Sequence, residues 1–273
     1  MSAPRHLALL VLPLALVAAA CGGDDDADDS SSPSSTTEAP PEEALRILVT
    51  NDDGVEGEGI SLLVDALQDL DGVEVTVVAP AGDQSGTGGQ TTPPPLTATD
   101  AELVGGAPAV AVDGFPADSV TYALEEVLDE PPHVVVSGIN AGQNLGPIVH
   151  VSGTVGAALK AVSEGIPALA VSQGLGEFDY ATGVELAVAW VEEHRDALLA
   201  GDVATDAVAN LNVPTCATGE VRGVVEVPTA VDVAGRDPVA APSDCTSTAT
   251  DPADDIAAFL TGYAPLAEVA PGS

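Results

Sequence analysis

A chain of 273 residues with 43 Asp and Glu against 6 Lys and Arg carries a formal net charge of −37. So few cations cannot assemble a basic face, which excludes binding to DNA or RNA and excludes docking on anionic lipid through charge. Hydrophobic residues still make up 45%, enough for a sizeable core beneath an acidic surface that stays hydrated and repels itself least in a salty medium.

The first twenty residues read as a leader. Arg5 and His6 precede an apolar run from Leu7 to Ala20, and Cys21-Gly22-Gly23 follows. A basic start, an apolar stretch too short to span a bilayer comfortably and a small-residue break predict a signal peptide over residues 1–20. Ala18-Ala19-Ala20-Cys21 resembles a bacterial lipobox, with Ala18 where leucine is usual. Cys21 is therefore either lipidated and the new N-terminus, or left free by ordinary cleavage. Lipidation predicts an extracytoplasmic, membrane-anchored lipoprotein held only by its acyl chains, and unmodified cleavage a secreted protein. Residues 21–43 carry an aspartate cluster and then Ser, Thr and Pro. This stretch has almost nothing to bury, so it predicts a disordered, extended tether. Residues 44–273 remain, enough for one α/β domain.

Within that domain Ile47 to Val49 is a continuous apolar run, as expected for a strand covered on both faces. Ile60, Leu63, Val64, Leu67 and Leu70 recur at helical spacing between Gly59 and Gly72. Val73 to Ala79 predicts the next strand, and a loop rich in Gly, Thr and Pro runs from Ala81 to Pro95. Ala109 to Val112 predicts a short strand, and Val120, Leu124, Val127 and Leu128 a helix. His133 to Val136 predicts another buried strand, followed by a Gly- and Asn-rich loop. Val155 to Val162 predicts a helix, Ala168 to Val171 a strand, and Val184 to Leu198 a longer helix. Strands are expected at Ala207 to Leu211 and Val221 to Val227, a short helix at Ile256 to Leu260, and order again at Ala267 to Ala270. Such alternation implies an α/β fold with a mostly parallel sheet and helices on both faces.

Polar clusters follow these strands. Asp52-Asp53-Gly54 sits where the first strand ends, and in open α/β sheets the ligand crevice lies outside the carboxyl ends of the strands. Adjacent carboxylates there repel unless water, a proton or a cation intervenes. They form either a metal seat or a solvated Asx-type turn. Gln84-Ser85-Gly86, Ser137-Gly138-Ile139-Asn140 and Ser152-Gly153-Thr154 follow strands or open helices in the same way. Ser152-Gly153-Thr154 at a helix N-terminus serves as an N-cap, a phosphate cradle or both. No G-x-G-x-x-G follows the first strand, which argues against a dinucleotide-dependent enzyme. The four histidines (His6, His133, His150 and His194) form no ligand-like cluster, and His150 alone lies between the glycine loops. Cys216 and Cys245 are expected to be bridged in an exported protein, the alternative being two separate buried thiols. A bridge would contribute roughly 3 to 4 kcal/mol in the chain-entropy model.

In this order the clusters resemble the SurE family of nucleotidases and acid phosphatases. The matching residues are Thr50-Asn51-Asp52-Asp53-Gly54, Ala79-Pro80 with Gln84-Ser85-Gly86, and Gly114-Phe115-Pro116-Ala117-Asp118-Ser119-Val120. They continue through Ser137-Gly138-Ile139-Asn140 with Gly142 and Asn144, Ser152-Gly153-Thr154-Val155, Gly165-Ile166-Pro167-Ala168 and Asn212-Val213-Pro214. The resemblance implies a Rossmann-like fold and a divalent cation, Mg²⁺ or Mn²⁺, held by Asp52, Asp53, Ser85 and Asn140. Such hard oxygen donors suit those cations and suit zinc poorly. It implies phosphate binding by Gly142, Asn144, Ser152, Gly153 and Thr154, with Asp52, Asp53 and Asn144 as catalytic residues. The expected reaction is hydrolysis of a phosphate monoester by a 5′(3′)-nucleotidase or acid phosphatase, with nucleoside monophosphates outside the cytoplasm as substrates. A non-catalytic surface lipoprotein binding a cation or a phosphorylated ligand is the competing expectation. The segment after Val227 is shorter than the family's protruding hairpin region, which bears on the homodimer the family would imply.

Overall fold

The computed structural model describes residues 43–176 and 179–272. The leader, Cys21 and the tether up to residue 42 lie outside them. Among the described residues no helix is long and apolar enough to cross a membrane.

The apolar runs become the middle strands of one sheet. In chain order the strands are β1 (Leu45–Thr50), β2 (Val73–Pro80), β3 (Ala98–Glu102), β4 (Pro108–Val112), β5 (Val134–Ala141), β6 (Ala168–Gln173), β7 (Val208–Val213), β8 (Val224–Glu226) and β9 (Ala264–Val269). Their spatial order is β3-β4-β2-β1-β5-β6-β7-β9-β8. The six strands from β4 to β7 in that order run parallel. At the edges β3 is antiparallel to β4, and β9 is antiparallel to β7 with β8 parallel to β9. Nearly all residues of β1, β5 and β6 are buried, as strands covered on both faces must be.

The covering helices are α1 (Glu58–Gln68), α2 (Pro116–Tyr122), α3 (Gly153–Ser163), α4 (Ala181–Ala200) and α5 (Asp255–Leu260). Alternation along each strand divides the core in two. Ile47, Val49, Val134 and Val136 face Ile60, Leu63 and Leu67 of α1 and Val191 of α4. Leu48, Val78, Val135 and Ala170 face Val120 of α2 and Val155, Ala158 and Val162 of α3. A smaller apolar cluster joins Leu145, Ala230, Ile256 and Phe259 under α5.

The chain runs outward from β1 to β2 and β4, then returns to place β5 on the other side of β1. That reversal is a topological switch point, where the connections leave in opposite directions and open a crevice at the strand ends. Thr50 and Ser137 are register partners there.

Three details differ from the expectations. β5 continues through Ser137, Gly138, Ile139 and Asn140, a stretch that reads as loop because its polar residues break the apolar run; Ser137 and Asn140 are nonetheless buried. β3 is an edge strand with three of its five residues exposed and none buried, so Ala98-Thr99-Asp100-Ala101-Glu102 gives no apolar signal. β8 keeps only Val224–Glu226 of the expected Val221–Val227 strand. Arg222 lies over the Tyr263 ring, 4.1 Å from its centroid, and donates to the Thr261 carbonyl at 2.9 Å. Farther out, Cys216 and Cys245 form a disulfide across 29 residues of sequence.

Candidate active site

At the switch point Asp52 and its neighbour Asp53 meet the start of α3, the loop after β2 and the end of β5. Directly after β1, the Asn51 carboxamide staples the turn: Nδ2 donates to the Gly54 carbonyl at 2.9 Å and Oδ1 accepts the Gly54 N–H at 3.1 Å. With its neighbours fixed, Asp52 is buried, 3% exposed, and its Oδ1 accepts the Thr154 hydroxyl at 2.6 Å. Thr154 belongs to the first turn of α3. The helix end approaches so closely that a Cβ on Gly153 would lie 2.7 Å from the Asp52 Cβ. Only glycine fits at that position. Ser152 caps the same helix, its Oγ accepting the Val155 N–H at 3.1 Å.

Asp53 reaches the next strand, its Oδ2 accepting the Ala141 N–H at 3.3 Å. Asn140 precedes Ala141, is 9% exposed, and donates from Nδ2 to the Gly142 carbonyl at 2.6 Å. The loop after β2 closes from the other side, where the Gln84 N–H donates to the Asp52 carbonyl at 2.7 Å. In that loop the Ser85 hydroxyl and N–H both donate to Asp83 Oδ1, at 2.6 and 2.8 Å. Asn144 is buried beside β6 and β7: its Nδ2 donates to Ser172 Oγ at 2.9 Å and its N–H to Asn212 Oδ1 at 2.6 Å.

The electrostatics are those of crowded anions. Burial is the main cause that raises the Asp52 carboxyl above its ordinary value, against the Thr154 hydrogen bond, which lowers it. Burial, then the charge of Asp52, pushes Asp53 up to about 6. Asp83 adds to the repulsion at both. Among the described residues no Lys, Arg or His pairs with either carboxylate. A cation bound between them would supply a counter-charge and lower both. The donors at hand fit a hard divalent ion: two carboxylates, an amide and a hydroxyl, with no group of three or more His, Cys, Asp or Glu among the described residues. Zinc would ask for the nitrogen or sulfur ligands that are lacking here.

Several neighbours gave no functional signal in the sequence. Tyr180, buried at the start of α4, is pushed up to about 12 by burial and then by Asp53 and Glu58. Asp83 lies close enough for its charge to act on both acids. Asn210 looks like an ordinary strand residue and Asn212 belongs to the Asn212-Val213-Pro214 motif without a role of its own in the sequence reading, yet both donate to the Asn144 carbonyl, at 2.9 and 3.1 Å. Their signal was positional: like the recognised clusters, they lie toward the carboxyl ends of strands. Of the remaining motif residues, Asp118 is architectural. Its carboxylate accepts the N–H groups of Phe115 and Thr92, tying α2 to the long loop after β2. His133 is likewise a fold residue, its Nδ1 accepting the Arg46 N–H at 2.9 Å. His150 is exposed at the end of a 3₁₀ turn spanning Gly146–His150.

A sequence model of the family described as Survival protein SurE matches residues 47–233. The chain belongs to the SurE family. A protein named 5′-nucleotidase SurE from Carboxydothermus hydrogenoformans is 40% identical over 185 residues, 66% of this chain and 69% of that protein. A second of that name, from Brevibacillus brevis, is 38% identical over 187 residues, 66% of this chain and 71% of its own length. The crystal structure of the SurE protein from Aquifex aeolicus shares the fold with a TM-score of 0.67 at 28% identity. That likeness covers 82% of this chain and 93% of the other. The matched residues include every cluster at the switch point, while α5 and β9 lie past the end of the family match.

Proposed function

We propose that the chain is a metal-dependent 5′-nucleotidase that hydrolyses nucleoside monophosphates outside the cytoplasm. Membership of a family whose curated relatives are named 5′-nucleotidase SurE supports the enzyme class. The observation that carries the reading is the position of Asp52: a buried carboxylate with no cationic partner among the described residues, packed against the N-terminus of α3. An anion-binding helix end and an uncompensated carboxylate pair side by side make sense when phosphate and a divalent cation occupy the crevice together.

Asp52, Asp53 and Asn140 would hold the cation, with Ser85 contributing a hydroxyl oxygen. Bound there, the ion supplies Lewis-acid stabilisation of phosphoryl charge and acidifies nearby water. The other tasks fall to the protein. The N-terminus of α3 turns its partial positive charge toward the phosphate oxygens at Gly153, while the Thr154 hydroxyl and N–H are engaged with Asp52. Asn144 donates its carboxamide to the same oxygens as charge develops on them. Gly142 lets the main chain pass close to the phosphate. Asp53, the more accessible of the acids, orients the attacking water and accepts its hydrogen bond. With 6 Lys and Arg in the whole chain, phosphate has to be held by backbone, amide and cation.

The apolar run ending at Ala20 supports export, and lipidation of Cys21 would tether the enzyme to a membrane. Mass spectrometry of the mature protein tests this: a lipidated Cys21 is expected, and a full-length chain starting at Met1 would contradict it. Activity is tested with a panel of adenosine and guanosine monophosphates, 3′-nucleotides and para-nitrophenyl phosphate. Phosphate release is expected with Mn²⁺ or Mg²⁺ and is expected to stop with chelator. Thermal stabilisation by nucleotide without any release would instead identify a binding protein.

A further inference from the structure

The loop that carries Asn144 is gripped from two elements that the proposed reaction does not use. On β7 the Asn212 carboxamide faces the main chain of Asn144 in both directions. Its Oδ1 accepts the Asn144 N–H at 2.6 Å and its Nδ2 donates to the Asn144 carbonyl at 3.1 Å. This pairing supplies the partners that a neighbouring strand would give, at a point where the chain has already left the sheet. Two residues on, the Gly146 N–H donates to Asp255 Oδ2 at 2.8 Å. Asp255 Oδ1 meanwhile accepts the N–H groups of Ala230 and Ile256, at 2.9 and 2.8 Å. Asn212 and Asp255 are both fully buried. Asp255 opens α5, beyond residue 233 where the family match ends.

Resting on the reading of Asn144 as a phosphate-binding residue, we infer that Asn212 and Asp255 are positioning residues that clamp the Asn144–Gly146 main chain and so aim the Asn144 carboxamide at the phosphoryl group. The clamp acts at two points. Asn212 sets the peptide planes on either side of Asn144, and Asp255 stops the loop from sliding along the sheet edge toward α5. Because one carboxylate holds residues 146, 230 and 256 together, the C-terminal segment becomes part of the site although it contributes nothing that touches substrate. Ser172 completes the setting by accepting from the Asn144 side chain.

The test is a pair of double-mutant cycles on the full chain. Asn212→Asp keeps the acceptor for the Asn144 N–H but turns the donor into an oxygen facing a carbonyl, and Asp255→Asn turns one acceptor toward an N–H as a donor. Each single variant should lower kcat for nucleoside monophosphate by about 10- to 100-fold, the loss expected when a reacting group is misplaced by an ångström or less. Mn²⁺ affinity should change little, because Asp52, Asp53 and Ser85 lie on other segments and Asn140 is held by β5, ahead of the clamped Asn144–Gly146 main chain. In an Asn144→Ala background neither substitution should cost anything more, since the group being aimed is gone. Full additivity in that background would overturn the clamp and leave the two residues merely structural. Asn212→Ser, which removes the carboxamide and shortens the side chain without adding charge, takes the place of Asn212→Asp if that variant does not fold. Asn144→Ala with undiminished activity would sink the phosphate-site reading and the clamp together. An inactive Asn144→Ala beside a fully active Asn212→Asp would sink the clamp alone.

Discussion

Gly153 shows how little room the proposed chemistry leaves. A side chain there would lie 2.7 Å from the Asp52 Cβ and 2.9 Å from its Oδ2. Gly153→Ala should therefore push α3 away from Asp52, break the Thr154 hydrogen bond and cut kcat by about 100-fold, a loss read directly from phosphate release. Its helix should persist, since alanine is the better helix former. The other prediction at this level concerns Asp53 without metal. Its folded value near 6 lies above the ordinary 3.8. Between about pH 4 and 6 the folded protein keeps a proton that the unfolded chain has already lost. The contribution to stability is thus present in acid and lost as the pH rises through 6. Asp53→Asn should accordingly raise the Tm of metal-stripped protein at about pH 8 and leave it unchanged at about pH 4. An equal effect at both pH values would mean that Asp53 does not carry this strain.

Elements with one dominant periodicity were legible in the sequence. β1, β2, α1 and α3 fall where their apolar spacing puts them, because burial against a single face leaves one register open to them. The polar end of β5 was not legible as a strand, since Ser137, Gly138 and Asn140 carry turn chemistry and only tertiary context buries them. At the site, the acids and the α3 cap were readable because their residue types announce their chemistry. Asn210 and Tyr180 were not, and Asn212 was legible only as part of a motif, for their contacts join segments far apart in the chain. The long stretch between β8 and α5 has little periodicity and leans on a covalent tie. Replacing Cys216 and Cys245 together by serine should lower global stability by about 3 to 4 kcal/mol in the chain-entropy model, measured by denaturant unfolding. A cost below about 1 kcal/mol would show that the bridge closes a loop already ordered in the unfolded chain.

Taken as a whole, the chain is an acidic body with a charge of −37, and its surface repulsion weakens the compact state at low ionic strength. The urea midpoint should rise as salt increases from about 0.02 to 0.5 M, where the Debye length falls below the spacing of surface charges. A midpoint independent of salt would contradict that. The same charge collects cations loosely everywhere, so the proposed metal seat has to be told apart from the general atmosphere. Electron paramagnetic resonance of Mn²⁺ in about 0.3 M salt, where loose surface binding is screened, does so most directly. The unmodified protein should take up a single tightly held ion, and Asp52→Asn combined with Asp53→Asn should hold none. Equal uptake by both proteins would mean that the crevice beside β1 and β5 is not where the metal sits.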